Sequence, residues 1–456
     1  PSLEGNQPLP IPRHRARVRW RGRIKRHNMN DMKKTMKRKT LVMNVDFFDE
    51  IGLHGDSMGP EDVVELIRQC KQTGVDAVFW RAAGLGVAGY PSKYHATGEW
   101  LAHADRSLVL SRTPEAKTNG GKPPQSERFY KESPLDHTLA RMDPIATACA
   151  ACREAGIGFH IWLDVFDEQN GRFLIEHPEC QVTGRDGATR WPGLRSYANA
   201  AAVEERLAVI DELAAYRPDG FYFSTSCHSR HLAFPEPSDF FGFEPEVAEA
   251  YRRETGRALK DVAAPRDIAT WHRIKGDCFT EFLRRAKDRL RSGGMTLAVG
   301  TQFGPYTELT SPVFSTSVKY RFETQWKRWV DEGIADALIL GDYEWTWDRV
   351  PPWEAKGIHP PAGRQVSDVL APEYVAYVAG RAKLLFFSSW LSAYAQHHQG
   401  ASAGNLEDAM RMRARTVLET GADGICLHEA HTFEYYKGFD TVSEMRHTFD
   451  AAPLNA

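Results

Sequence analysis

The 456-residue sequence lacks the features that mark membrane proteins and disulfide-stabilised secreted proteins. No apolar run approaches the roughly 18–20 residues that a membrane helix needs, and the N-terminus has no signal-peptide core. The seven cysteines are odd in number and widely scattered, which is typical of reduced thiols. These absences predict no membrane partner and favour a cytoplasmic location.

A dinucleotide-binding fingerprint is also missing where an open α/β sheet would carry it. No GxGxxG follows the first predicted strand at 41–47. This absence disfavours a doubly wound sheet, and no cofactor is predicted.

The sequence instead repeats one unit, in which an amphipathic helix is followed by glycine, a short apolar strand and a polar tip. The segment 156–167, GIGFHIWLDVFD, shows the unit most clearly. Continuous apolar strands of this kind are typical of parallel strands covered by helices on the outside. Such strands are predicted at 41–47, 75–82, 160–166, 220–227, 296–303, 335–345, 383–390 and 424–430. Eight strands alternating with helices predict a closed (β/α)8 TIM barrel with long βα loops over residues 41–456.

Two segments fall outside this repeat. Residues 1–40 carry thirteen Lys or Arg side chains against Glu4 and Asp31, and the rest of the chain is net acidic. Such a basic arm is one way to bind nucleic acid, but we interpret it as a disordered or peripheral arm and predict no nucleic-acid partner. Residues 83–142 are too long for a plain connection and predict an insertion over the active face of the barrel.

Polar and aromatic side chains collect at the predicted C-terminal ends of the strands, where a TIM barrel carries its chemistry. Four carboxylates are candidate catalytic residues, as proton donor and as nucleophile or base: Asp342, Glu344, Glu429 and Asp164. Residues suited to stacking on sugar rings or to binding hydroxyl groups are candidate substrate ligands: Asp46, Trp80, Arg81, His160, Trp162, His228, Gln302, Tyr343, Trp345, Trp390 and His428. Each of them has a structural alternative, because carboxylates also bind loops and large aromatic residues also fill barrel ends.

A metal-dependent hydrolase or isomerase is an alternative that would use His160, His228, His428 and Asp342. Barrels of that kind usually carry an HxH motif on the first strand, where this chain has Asn44-Val45-Asp46. No metal ligand is therefore assigned.

Seven segments, in this order, resemble the TIM-barrel family described as family 10-like glycosyl hydrolase. The segments are 75–94 (VDAVFWRAAGLGVAGYPSKY), 143–164 (DPIATACAACREAGIGFHIWLD), 177–179 (HPE), 216–224 (YRPDGFYFS), 241–256 (FGFEPEVAEAYRRETG), 325–339 (QWKRWVDEGIADALI) and 421–427 (GADGICL). The resemblance implies a TIM barrel that hydrolyses glycosidic bonds of oligo- or polysaccharides.

The chain departs from that family at its fourth strand. The family commonly has Asp-Asp-Tyr there, whereas this sequence has Ser224-Thr225-Ser226. On its third strand the family's Trp-Leu-Asn is replaced by Trp162-Leu163-Asp164. We expect Asp164, Glu344 or Glu429 to compensate. The alternative is a catalytically degenerate barrel that binds glycans without cleaving them.

Arginine and histidine side chains near the predicted strand ends are suited to bind sulfate or carboxylate groups. These residues are Arg81, Arg195, His228, Arg230, His231, His397 and His398. The expected substrates therefore include an anionic glycan, sulfated or uronic. A monomer and a homo-oligomer both remain open.

Overall fold

The computed structural model describes residues 38–84, 86–96, 134–166, 168, 171–225, 241–262, 264–310, 318–341, 366–389, 406–435 and 438–451. The chain divides into two compact units between Lys37 and Arg38, and every described residue belongs to the second unit. The predicted arm therefore lies outside the described residues except for its last three positions. Thr40, the last of these, already begins the first strand.

The predicted (β/α)8 barrel is confirmed. Numbered along the chain, the barrel strands are β1 (Thr40–Val45), β2 (Ala77–Arg81), β5 (Gly158–Asp164), β8 (Gly220–Ser224), β9 (Thr296–Thr301), β12 (Ala337–Leu340), β13 (Lys383–Ser389) and β14 (Gly424–His428). All pair in parallel, and β1 closes the barrel by pairing with both β2 and β14. Within the described part of the chain, three antiparallel pairs lie outside the barrel: β3 (Ala83–Gly84) with β4 (Val87–Ala88), β6 (Gln181–Thr183) with β7 (Arg190–Arg195), and β10 (Tyr306–Thr310) with β11 (Val318–Glu323).

Helices connect the strands and cover the outside of the barrel. Their bounds are α1 (Phe47–His54), α2 (Pro60–Gln72), α3 (Pro134–Arg141), α4 (Pro144–Ala155), α5 (Arg172–Glu176), α6 (Ala200–Ala214), α7 (Pro245–Thr255), α8 (Pro265–Ser292), α9 (Trp326–Asp331), α10 (Val366–Val378), α11 (Leu406–Thr420), α12 (Ala430–Tyr435) and α13 (Val442–Ala451). Among the described residues, no helix has the length and apolar character needed to cross a membrane.

Alternation along the strands decides which side chains reach the barrel interior. The ring of Phe79 on β2 lies 5.0 Å from the ring of Tyr222 on β8, although these strands are not neighbours. Phe79 therefore points inward. Arg81, two residues later, points the same way, and Trp80 between them faces the helices.

The described part of the predicted insertion 83–142 packs on the helical layer. Three groups of this segment, the hydroxyls of Tyr90 and Ser92 and the backbone N–H of Lys93, donate hydrogen bonds of 2.7–2.9 Å to the Glu212 carboxylate on α6. Its central residues 97–133 lie outside the described part of the chain. The position of the insertion over the active face stays a prediction.

Candidate active site

Four consecutive barrel strands supply the charged residues of the candidate site. In the closed barrel β14, β1, β2 and β5 stand side by side. Glu429, Asp46, Arg81 and Asp164 lie at or directly after their C-terminal ends. Residues that are far apart in the chain thus gather on one side of the barrel mouth.

Arg81 joins two of these strand ends. Its two terminal nitrogens form ion pairs with the Oδ2 atoms of Asp46 and Asp164, and all three side chains are at least nine-tenths buried. Each carboxylate also accepts a second hydrogen bond. The Phe48 backbone N–H donates to Asp46 Oδ1 at 3.1 Å, and Trp162 Nε1 donates to Asp164 Oδ1 at 2.9 Å. Both aspartates are therefore held rigidly, with both oxygens in use.

Aromatic rings lie beneath this ion-pair network. The Arg81 guanidinium lies 5.1 Å from the centre of the Trp162 ring, a cation–π distance. The ring of His428 packs edge-on against Trp162 at 5.5 Å, and it lies tilted against the Phe387 ring of β13 at 5.3 Å. These rings pack the barrel interior directly below the charged groups.

Glu429 has the chemistry of a proton donor. It directly follows β14 and is 5% exposed. Its Oε2 lies 3.1 Å from Nε2 of His428, and its Oε1 lies 3.3 Å from Nδ1 of His431. Burial, followed by the negative charges of Asp49 and Asp46, raises the pKa of Glu429 well above its ordinary value, with Arg81 opposing the shift. A carboxyl group in this setting keeps its proton under conditions in which an exposed glutamate has lost it.

Asp49 and His431 complete this part of the mouth and were missed from the sequence. The Asp49 carboxylate accepts a hydrogen bond from the Glu429 carboxyl group, and its Oδ2 lies 3.6 Å from Nδ1 of His431. Burial, and then the charge of Asp46, raises the pKa of Asp49. The Asp49 and His431 side chains are 23% and 27% exposed, so the mouth opens to solvent here. The available signal was their spacing, three residues after Asp46 and three after His428.

Two predicted substrate ligands are wrong in position. Trp80 is 0% exposed, faces the helical layer and packs against the Phe47 ring of α1 at 5.6 Å. His160 lies near the start of β5, where its Nε2 is 3.2 Å from the hydroxyl of Thr296, the first residue of β9. His160 is therefore at the opposite end of the barrel from Asp164, and the predicted strand 160–166, which begins at His160, already placed it at that end.

Gln302 follows β9 directly and is half-buried, and its role as a substrate ligand stays a prediction. The other predicted site residues lie outside the described part of the chain: Asp342, Tyr343, Glu344, Trp345, His228 and Trp390.

Arg195, which was expected to help hold an anionic glycan, is fully buried in an ion-pair network. Its Nε and Nη2 donate to the two carboxylate oxygens of Glu168 at 2.6 and 2.9 Å, and Arg206 also pairs with Glu168. Arg195 therefore supports the β7 segment from inside. The expectation that it binds substrate is wrong.

Of the metal ligands predicted for the alternative function, His160 lies at the opposite end of the barrel from His428, so these two residues do not share a site. His228 and Asp342 lie outside the described residues. A different set does come together at the mouth. Ligand atoms of Asp49, Glu429 and His431 all lie within 4.8 Å of one another, a spacing that one divalent cation can bridge.

The two tryptophans make a testable contrast. Trp162→Phe removes the Nε1–H donor to Asp164, and a hydrogen bond to a charged group contributes about 1.5–3 kcal/mol. If this hydrogen bond orients the Asp164 carboxylate for catalysis, kcat/KM of Trp162→Phe falls about tenfold or more. Trp80→Phe, which alters packing on the far side of β2, leaves kcat/KM unchanged. Steady-state kinetics of both variants test this, and equal losses would contradict the placement of Trp162 in the site.

Comparison with known proteins finds no protein-family model that matches this sequence and no matching curated protein. The resemblance to family 10-like glycosyl hydrolases is therefore not established by sequence comparison.

Three solved structures of similar fold carry the names of glycosidases. An α-L-fucosidase isoenzyme 2 from Paenibacillus thiaminolyticus is 11% identical with a TM-score of 0.48, covering 91% of this chain and 49% of its own. The catalytic domain of a β-amylase from Paenibacillus polymyxa is 10% identical with a TM-score of 0.49, and the match covers 87% of this chain and 94% of that domain. A β-galactosidase from the psychrophilic Marinomonas ef1 is 13% identical with a TM-score of 0.49, and the match covers 86% of this chain and 54% of the galactosidase.

The chain thus spans about half the length of the fucosidase and of the galactosidase. At these identities and TM-scores the likeness concerns general architecture, and it assigns neither a family nor a substrate.

Proposed function

We propose that this protein is a glycoside hydrolase of the family 10-like type, with its active site at the mouth formed by β14, β1, β2 and β5. The observation that carries the proposal is the buried carboxyl group of Glu429, whose raised pKa suits it to protonate a leaving-group oxygen. It stands beside a rigid set of charged groups on the C-terminal face of a TIM barrel, the face that carries the chemistry of such enzymes.

The roles of the other carboxylates follow from their contacts. Asp46 and Asp164 have both oxygens occupied by Arg81, the Phe48 N–H and the Trp162 Nε1–H, so they position Arg81. A glycosidase needs a second carboxylate as nucleophile or base. We propose that Asp342 or Glu344 supplies it. Both follow β12, which is separated from β14 only by β13.

The described charges favour a neutral glycan over the anionic one expected from the sequence. Asp46, Asp49 and Asp164 contribute negative charge here, and Arg81, the arginine beside them, is already paired with two of them. A sulfate or uronate at this side of the mouth would meet no unpaired cation among the described residues.

Incubation of the purified chain with neutral and anionic oligosaccharides, followed by product analysis, tests the proposal. New reducing ends are expected from neutral substrates. Saturable binding without any product over long incubation would support the catalytically degenerate alternative instead.

The pH dependence of the reaction provides a separate prediction. Glu429 can donate a proton only while it is protonated, so kcat/KM falls as pH rises through its raised pKa. The Glu429→Gln variant, assayed on a substrate with a strongly acidic leaving group, should lack this alkaline decline. Comparison of the two pH profiles measures the effect, and an unchanged alkaline limb in the variant would assign it to another group.

A metal-dependent hydrolase is a second candidate, favoured by the Asp49, Glu429 and His431 cluster. In that case hydrolysis requires the ion, so chelation with EDTA abolishes it and added Zn²⁺ or Mn²⁺ restores it, whereas hydrolysis by the acid–base mechanism persists after chelation.

A further inference from the structure

A second group of possible metal ligands lies behind the mouth, between α1 and α12. Ligand atoms of Glu50, His54 and Glu434 all lie within 4.8 Å of one another. Glu50 and His54 are four residues apart on α1, so they share one face of that helix, and Glu434 approaches from α12. None of these residues has a part in the proposed hydrolysis.

The Glu50 side chain lacks the partners that a buried carboxylate needs. The residue is 1% exposed, and no N–H or O–H donor of the described residues reaches either of its carboxylate oxygens. The Glu434 carboxyl group lies beside it, and two carboxyl groups can bond to each other only by sharing a proton. Burying a charge without compensation costs several kcal/mol, so this site requires either a proton or a cation.

His54 is oriented so that one ring nitrogen faces this cluster. Its Nε2 lies 3.5 Å from Oε2 of Glu434, whereas its Nδ1 lies 3.9 Å from Oδ1 of Asp62 on α2. The Asp62 carboxylate thus lies on the other side of the imidazole, beyond hydrogen-bond distance. His54 and Glu434 also line an open cavity of about 500 Å³, which gives an ion access from solvent.

We propose that Glu50, His54 and Glu434 bind one divalent cation of intermediate softness, of which Zn²⁺ is the representative. Two carboxylates and one imidazole are a ligand set suited to such ions, and the dication would neutralise both carboxylates. The remaining coordination position opens to the cavity and takes water.

The location gives the cation a structural role. α1 begins directly after Asp46, and α12 begins directly after Glu429. A cation between the two helices therefore fixes the positions of Asp46 and Glu429 from behind, without touching substrate. This role adds to the proposed hydrolysis, but the cation site itself does not depend on it.

Metal binding by the full chain tests the proposal independently of activity. After treatment with EDTA and buffer exchange, Zn²⁺ titration should show a site of one ion per chain that raises Tm. His54→Ala and Glu434→Gln should both lose this site and the Tm rise. The matched control is His431→Ala, which alters the Asp49, Glu429 and His431 cluster and should leave the site intact.

Three results would overturn the proposal. One is absence of Zn²⁺ binding and of any Tm rise in the unaltered chain. Another is loss of binding in His431→Ala with retention in His54→Ala, which would place the ion at the mouth. The third result has two parts: metal-free Glu434→Gln has a higher Tm than the metal-free unaltered chain, and Zn²⁺ leaves the Tm of the unaltered chain unchanged. It would show that Glu50 and Glu434 share a proton and bind no cation. Absence of hydrolysis with Zn²⁺ binding intact would refute the proposed function alone.

Discussion

Replacing Glu429 with glutamine is expected to lower kcat on natural glycans by about 10²–10⁴-fold, the usual contribution of a general acid. The amide has the shape of the carboxyl group but cannot give up a proton to the leaving oxygen. A substrate whose leaving group needs no protonation, such as a nitrophenyl glycoside, should lose much less. The measurement is kcat of the variant on both substrates.

A matched control separates this loss from a general effect of removing a carboxylate. Glu373→Gln on α10 changes the same chemical group at an exposed position, where the side chain is 64% accessible and pairs with Lys327. Its kcat should equal that of the unaltered protein. If Glu429→Gln lost the same factor on both kinds of substrate, Glu429 would not be the proton donor.

Arg81→Met is the second substitution with a large expected effect. It leaves Asp46 and Asp164 buried side by side without their common cation. Removing one partner of a buried ion pair costs about 3–5 kcal/mol of unfolding free energy. Denaturant unfolding measures the loss, and activity should disappear with it, because both strand ends lose the group that holds them.

Arg81→Lys gives the control for this result. A lysine keeps the positive charge but cannot present two fixed donors to two separate carboxylates, so only part of the stability should return. Stability equal to that of the unaltered protein in Arg81→Met would contradict the role of the network. Full activity of Arg81→Met would also contradict the role of the network.

The fold followed from the sequence because the barrel strands have local signals. At 156–167 a glycine follows a helical run and an apolar strand follows the glycine. Gly156 indeed ends α4 in the left-handed conformation, and β5 runs from Gly158 to Asp164. Boundaries were less certain where a signal was ambiguous. Proline is typical of the first turn of a helix, but Pro372 lies inside α10, which begins six residues earlier at Val366.

The site was predicted only in part, because strand order and side-chain direction are not local properties. Trp80 and Arg81 are adjacent in sequence, but alternation sends one to the helical layer and the other to the mouth. Arg81 was expected to bind substrate, and nothing in its neighbours showed that β1 and β5 would each bring an aspartate to it. His431 was not recognised either, because its spacing of three residues from His428 does not by itself show that α12 brings it within 3.3 Å of Glu429.

Asp164 illustrates the same limit for function. The residue types at 162–164 predicted a catalytic carboxylate, and the contacts with Arg81 and Trp162 make a positioning role the better proposal. Burial and partners decide between these roles, and both depend on packing across the whole barrel.

The most direct test of the central claim is a crystal structure of the Glu429→Gln protein with a bound neutral oligosaccharide. The account predicts the sugar at the mouth between β14 and β5, with the side-chain amide of residue 429 within about 3.2 Å of a glycosidic oxygen. An oligosaccharide bound elsewhere, or one whose glycosidic oxygens all lie beyond reach of residue 429, would contradict it.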